Sequence, residues 1–116
     1  MHELSLCDDL LSQVINIAAQ HNAVSVESIT VQIGALSGVE PLMLESAFEL
    51  IKVGTLAVEA ELILQTTPVI VLCGKCGTQS EVAPNRLLCS ACRSHETTLI
   101  SGDELILARV ALNCAD

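Results

Sequence analysis

VIVLCGKCGTQSEVAPNRLLCSAC, residues 69–92, holds two C-x2-C pairs, Cys73-Gly-Lys-Cys76 and Cys89-Ser-Ala-Cys92, with residues 77–88 between them. Two residues between thiolates let one tight turn present both sulfurs to a single ion about 2.3 Å away. Two such turns complete a tetrahedron, which suits zinc because its filled d shell imposes no other geometry. Gly74 and Gly77 help the first turn fold back on itself, whereas the second turn has Arg93 where glycine would be easier. The alternative is two disulfides or four reduced core thiols. Four thiolates would fill the coordination sphere of zinc and leave no site for water or substrate, so Cys73, Cys76, Cys89 and Cys92 predict a structural ion. Such an ion stabilises a knuckle of about thirty residues that has too few apolar contacts of its own. His95, three residues past Cys92, could replace a thiolate or stand as an exposed loop residue. Cys7 and Cys114 have no partner at ligand spacing; Cys7 reads as a thiol with lowered pKa near a helix N-terminus or as a small buried hydrophobe.

The texture of the chain changes on either side of this segment. Upstream, Leu10, Leu11, Val14, Ile17 and Ala18 recur at helical spacing, with Ser5 and Asp8 as a capping-box variant that would start the helix and His21-Asn22 to end it. Val24, Val26, Ile29, Val31 and Ile33 then alternate with Ser28, Thr30 and Gln32, a strand with one wetted face. Gly34 to Gly38 reads as a turn, and Pro41 suits the first position of a second helix with Leu44, Ala47, Phe48 and Ile51 on its apolar stripe and Gly54 as its stop. From Val58 the period falls to two, giving strand candidates around Leu62–Leu64 and Val69–Leu72. A last strand, from about Glu104 to Leu112, is apolar on both sides except at Arg109, which predicts a central place in its sheet. The fold class is α+β: a small mixed sheet with two helices, and a zinc-ribbon module of two C-x2-C knuckles inserted before the last strand. Residues 1–67 and 102–116 would form the principal domain and residues 68–101 the zinc-binding domain.

Composition narrows the function. Fourteen acidic residues against five basic ones give a formal charge of -9, the reverse of a phosphate-binding surface. Phe48 is the one aromatic residue, so no base-stacking platform can be built. The longest apolar run, Val69–Cys73, is five residues, against the roughly twenty of a membrane span. MHELSLCDDL has acids where a signal peptide carries Lys or Arg. These features predict a soluble, cytoplasmic protein with no nucleic-acid or membrane partner. An exposed strand edge would support a homodimer.

The first three residues, Met1-His2-Glu3, read as a frayed end unless they bind a metal. A free α-amine, the His2 amide nitrogen and its imidazole can close adjoining chelate rings in one plane, a geometry that suits Ni(II) or Cu(II). The fourth position could be the Glu3 amide nitrogen, a side-chain oxygen or water. Protons compete for such a site, since an α-amine titrates near ~8 and an imidazole near ~6.5.

MHELSLC at the start, IGALSGVEP, the pairs CGKC and CSAC, and the closing ISGDEL together resemble the HypA/HybF family of hydrogenase maturation proteins, in family order from Met1 to the last strand. The resemblance implies a nickel metallochaperone with a nickel-binding α/β domain (residues 1–67 and 102–116) beside the zinc domain. Such a protein helps deliver Ni(II) to the large-subunit precursor of [NiFe]-hydrogenase with a nickel-handling GTPase. It implies that His2 is the principal nickel ligand, with the Met1 amine and Glu3 beside it. Cys73, Cys76, Cys89 and Cys92 would take the Zn(II). Glu40, in GVEP, stands where the family has an acid near the nickel end; it would ligate, orient His2, or only favour the N-terminus of the helix that follows.

Two other readings compete. A zinc ribbon acting on nucleic acid or in regulation would need a basic face, yet Lys75, Glu81 and Arg86 sum to +1 between Cys73 and Cys92, and zinc with four thiolates adds -2. An enzyme would need a chemical motif, and the chain contains no Gly-rich phosphate loop, G-x-S-x-G or H-E-x-x-H. The sequence therefore predicts a non-enzyme.

Overall fold

The structure, a computed structural model, describes residues 2–114. Two helices and six strands follow in the order α1 (His2–Gln20), β1 (Ala23–Gly34), α2 (Pro41–Ile51), β2 (Glu61–Thr67), β3 (Val69–Cys73), β4 (Gln79–Val82), β5 (Thr97–Ser101) and β6 (Leu105–Cys114). The strands form two three-stranded sheets, β2-β1-β6 and β4-β3-β5. The chain divides into two compact units, Met1–Val31 with Val39–Gln65 and Ile106–Asp116, and Gln32–Gly38 with Thr66–Leu105.

In the first unit the helices pack on each other through the stripes their periodicity dictates. Cys7, Leu11, Val14 and Ala18 of α1 and Leu44, Ala47 and Phe48 of α2 are buried at three- and four-residue spacing. Val26, Ile29 and Val31 of β1 join the same unit's core. Each large apolar side chain so buried stabilises by about 1.5–3 kcal/mol. α1 ends where His21 donates to the carbonyls of Ile17 and Ala18 and Asn22 turns to φ 53°, a left-handed residue that stops the helix. Pro41 opens α2, where its missing N–H costs nothing.

Two expectations need correction. α1 begins at His2, not at the Ser5 capping box, because the first turn is tied by Glu3 to a backbone amide thirty-seven residues away. β6 is an edge strand and β1 the central one. No residue of β6 is buried, and Ile106 is 43% exposed, so its two-sided apolar character reflects partial cover on each face and not pairing on both edges.

In the second unit β3 is central and antiparallel to both neighbours, with Val71 opposite Ser80 of β4 and Leu99 of β5. Alternation places Val69, Val71 and Cys73 on one buried face, so the strand delivers the first cysteine inward. Gly34 and Gly102 lie back to back: a Cβ on Gly34 would stand 2.2 Å from the Gly102 carbonyl oxygen. That contact lets Gly34 donate to the carbonyl of Glu104 at 2.8 Å and Leu36 to that of Gly102 at 2.6 Å. The Glu104 carboxylate closes the corner, accepting from the Thr67 hydroxyl at 2.8 Å and the Gly102 amide at 2.9 Å. Those two bonds, Thr67 first, hold its carboxyl below the ordinary range.

Candidate metal centres

The two knuckles are built alike. Cys73 closes β3, and its sulfur accepts from the amides of Lys75 and Cys76, both at 3.3 Å. Cys89 repeats the arrangement, accepting from Ala91 at 3.4 Å and Cys92 at 3.5 Å. In each turn the residue four past the first cysteine donates its amide back to that cysteine's carbonyl, Gly77 to Cys73 and Arg93 to Cys89. The turn requires positive φ at that position: 77° at Gly77 and 61° at Arg93. Glycine adopts this freely, whereas a side chain in left-handed backbone costs roughly 1–2 kcal/mol. The second knuckle is docked on β4 by Ser80, whose hydroxyl oxygen lies 2.9 Å from that of Ser90 and accepts the Ser90 amide at 3.0 Å.

The four sulfurs converge within 4.8 Å of one another, with Cys73–Cys92 and Cys76–Cys89 both at 3.5 Å. Sulfurs about 2.3 Å from a central ion in a tetrahedron stand about 3.8 Å apart, between the two 3.5 Å separations and the 4.8 Å limit, so this donor set fits a zinc-sized ion. Cys73 and Cys89 are buried, while Cys76 and Cys92 lie at the surface. The Cys76 amide, with lesser help from Lys75, lowers the Cys73 thiol against the cost of burial. The Cys92 and Ala91 amides bring Cys89 down to about 6. Cys92 is pushed up to about 12: the Ser94 amide lowers it, but the contact with Cys73, burial and the other two cysteines outweigh that bond. A proton shared among crowded sulfurs is what a divalent ion displaces.

At the other candidate centre, His2 is exposed as the first residue of α1. The first amides of a helix have no acceptor in its own ladder. Glu3 is only 9% exposed, and its Oε2 accepts the Glu40 amide at 3.3 Å. The Glu3 carboxyl is held below its ordinary range first by its own amide and then by that of Glu40, against burial. Glu40 caps α2, its Oε1 accepting from Leu42 at 3.2 Å and its carbonyl from Leu44 at 3.0 Å. The turn that carries Glu40 is thus latched to the first turn of α1. Among the described residues, the side chains of His2, Glu3 and Glu40 are not gathered into a second cluster like the four cysteines. Met1 lies outside the described residues.

The remaining candidates fall away from both centres. Cys7 is buried and its thiol is pushed up to about 11 by that burial and by Asp8, so it packs as a small hydrophobe and the helix N-terminus does not activate it. Cys114 is exposed and donates to the His21 carbonyl at 3.6 Å. His95 is exposed and does not join the cysteine cluster. Ser80, Ser90 and Thr78, which bonds Cys76 at 3.2 Å, support the knuckles but have no spacing signature that would single them out in sequence.

The sequence model of the family described as "Hydrogenase/urease nickel incorporation, metallochaperone, hypA" matches residues 1–112. The hydrogenase maturation factor HypA of Nitrosospira multiformis is 43% identical over 112 residues, 97% of each chain. The protein of the same description from Aquifex aeolicus is 42% identical over the same share of each chain. Among solved structures, the solution structure of the Ni metallochaperone HypA from Helicobacter pylori superposes with a TM-score of 0.71 at 23% identity, covering 97% of this chain and 98% of that one. A second solution structure of a HypA protein gives 0.75 at 25% identity, covering 99% and 98%.

Proposed function

The chain belongs to the HypA family, and on that premise we propose that it is a nickel metallochaperone of hydrogenase maturation that takes Ni(II) at its N-terminus. The donors are the Met1 amine, the His2 amide nitrogen and the His2 imidazole. The observation that carries the reading is His2, exposed as the opening residue of a helix latched in place by the Glu3–Glu40 bond. An amide outside the helical ladder can lose its proton to a metal without breaking a helical hydrogen bond. In this reading Glu3 and Glu40 act first by fixing the helix end. Their carboxylates also place negative charge where the helix dipole would otherwise repel a cation.

Cys73, Cys76, Cys89 and Cys92 would hold Zn(II) as a structural ion, with all four positions filled and none left for substrate. The nickel passes by ligand exchange from the open site to the hydrogenase large-subunit precursor, with a nickel-handling GTPase as the companion protein. The protein acts in the cytoplasm and as a carrier, not an enzyme. Among the described residues no helix is long and apolar enough to cross a membrane. Titration calorimetry of tag-free protein tests the reading. His2→Ala, or residues added before Met1, should abolish nickel binding while one zinc per chain remains; unchanged nickel affinity in both variants refutes it.

A further inference from the structure

A cleft of about 270 Å3 opens in the second unit between the end of β4, the loop that follows it and the second knuckle. Val82, Ala83 and Leu88 give it apolar lining, Arg86 and Arg93 give it positive charge, and Cys89 and Ser90 of the second knuckle complete it. The whole chain has five basic residues against fourteen acidic ones, so two guanidinium groups on one cleft make a positive spot on an acidic protein. Among the described residues the one ion pair is Lys52–Glu49, and neither Arg86 nor Arg93 makes a side-chain hydrogen bond.

Arg93 occupies the position that the first knuckle gives to Gly77. Side chains rarely adopt φ 61°, and strain of this kind persists where a side chain has a task. Neutralising the thiolate cluster is not that task. The sulfurs accept from the amides of Lys75, Cys76, Ala91 and Cys92 and meet one another and Thr78, and no guanidinium bonds them.

We propose that this cleft binds a partner peptide through one carboxylate, gripped between Arg86 and Arg93, with a neighbouring apolar side chain against Val82, Ala83 and Leu88. Planar guanidinium forks match a carboxylate in two-point contact. The apolar residues of the lining suit a peptide side chain better than a phosphate chain. A nucleotide would find no ring to stack on, because the one aromatic residue is Phe48, buried in the other unit. The site is independent of the N-terminal nickel reading, and removing His2 leaves it intact.

The test is NMR titration of the zinc-loaded full chain, following the arginine Nε–H groups and the amides of Val82, Ala83 and Leu88. N-acetyl-leucine presents a terminal carboxylate beside an apolar side chain, and N-acetyl-leucyl-glutamic amide presents a side-chain carboxylate. Saturable millimolar binding of either supports the site, and the tighter of the two identifies the source of the carboxylate. Arg86→Gln and Arg93→Gly should each weaken it by about tenfold, equivalent to about 1.4 kcal/mol. Arg93→Gly also relieves the backbone, so loss of binding there cannot be ascribed to misfolding. Arg93→Lys, which keeps charge without the fork, should weaken binding less. Equal binding of N-acetyl-leucinamide, tighter binding of inorganic phosphate, or undiminished binding in the Arg86→Gln/Arg93→Gly double variant overturns the proposal.

Discussion

Replacing Gly34 with alanine tests whether the contact between the IGALSG and ISGDEL motifs holds the second unit together. The added Cβ would meet the Gly102 carbonyl oxygen at 2.2 Å, its carbon at 2.3 Å and the Asp103 amide nitrogen at 2.7 Å. Carbon and oxygen pack at about 3.3–3.6 Å even in close Cα–H···O contacts, so the two backbones must part by more than about 1 Å. That movement breaks the bonds from Gly34 to Glu104 and from Leu36 to Gly102. Two backbone bonds at about 0.5–1.5 kcal/mol each, plus about 1–3 kcal/mol of overpacking, give a loss of about 2–6 kcal/mol. Gly38→Ala supplies the control. Gly38 has φ 79° with nothing within 4 Å of an added Cβ, so it charges only the left-handed penalty of about 1–2 kcal/mol, less about 0.4–1 kcal/mol from a stiffer unfolded chain. Urea unfolding of zinc-loaded protein separates them: at the middle of these ranges the two differ by about 3 kcal/mol, so with m of about 1–3 kcal/mol/M, Gly34→Ala should move the midpoint down by about 1–3 M beyond Gly38→Ala. A Gly34→Ala midpoint equal to or above that of Gly38→Ala would refute the close-approach argument.

Three further outcomes follow from the same geometry. Glu104 has a depressed carboxyl pKa, so its contribution is present above the unfolded value near 4.5 and is lost as pH falls through the lower folded value. Glu104→Gln should therefore flatten the acid limb of the stability profile and leave its slope near neutrality unchanged, as read by unfolding at stepped pH. Arg93→Gly should stabilise the zinc-loaded chain by about 0.5–1 kcal/mol, the left-handed penalty less the entropy of glycine, measured by denaturant midpoint. In native protein Cys114 should react with iodoacetamide quickly while Cys7, buried with its thiol near 11, reacts only on unfolding; mass spectrometry of the labelled peptides distinguishes them.

What was legible in the sequence was what neighbouring residues decide among themselves. C-x2-C spacing fixes each knuckle within one turn, and the residue following each pair, Gly77 or Arg93, shows which turn is strained. Pro41 marks the first residue of α2 because its ring suits only that place, and Glu40 caps the helix as an acid there should. What escaped was set by partners far along the chain. The start of α1 depends on Glu3 finding the Glu40 amide, so local capping signals at Ser5 and Asp8 pointed three residues too late. β4 and β5 are short and rich in Ser, Thr and Gln, and they exist because β3 offers both its edges to them. The edge position of β6 is a fact about which strands pair, and hydropathy measures only how much apolar surface a strand has to cover.

If the N-terminus takes nickel as proposed, the two centres differ in how their donors are prepared, and that difference bears on retention and release. At the four cysteines, four backbone amides point at two buried sulfurs before any ion arrives, so ordering the ligands costs little when a metal binds. Losing an ion there means uncovering sulfurs that the fold holds within 4.8 Å of one another. At the N-terminus the preparation goes into the support and not into the donors: Glu3 is anchored, whereas His2 is left exposed. A donor set anchored on one side and open on the other can be approached by an acceptor's ligands while the metal is still held. In the proposed carrier, exchange would then proceed one bond at a time, without unfolding α1. On the proposed nickel reading, the Glu3–Glu40 bond would set how far His2 can stray, and so would tune release more than the identity of the metal.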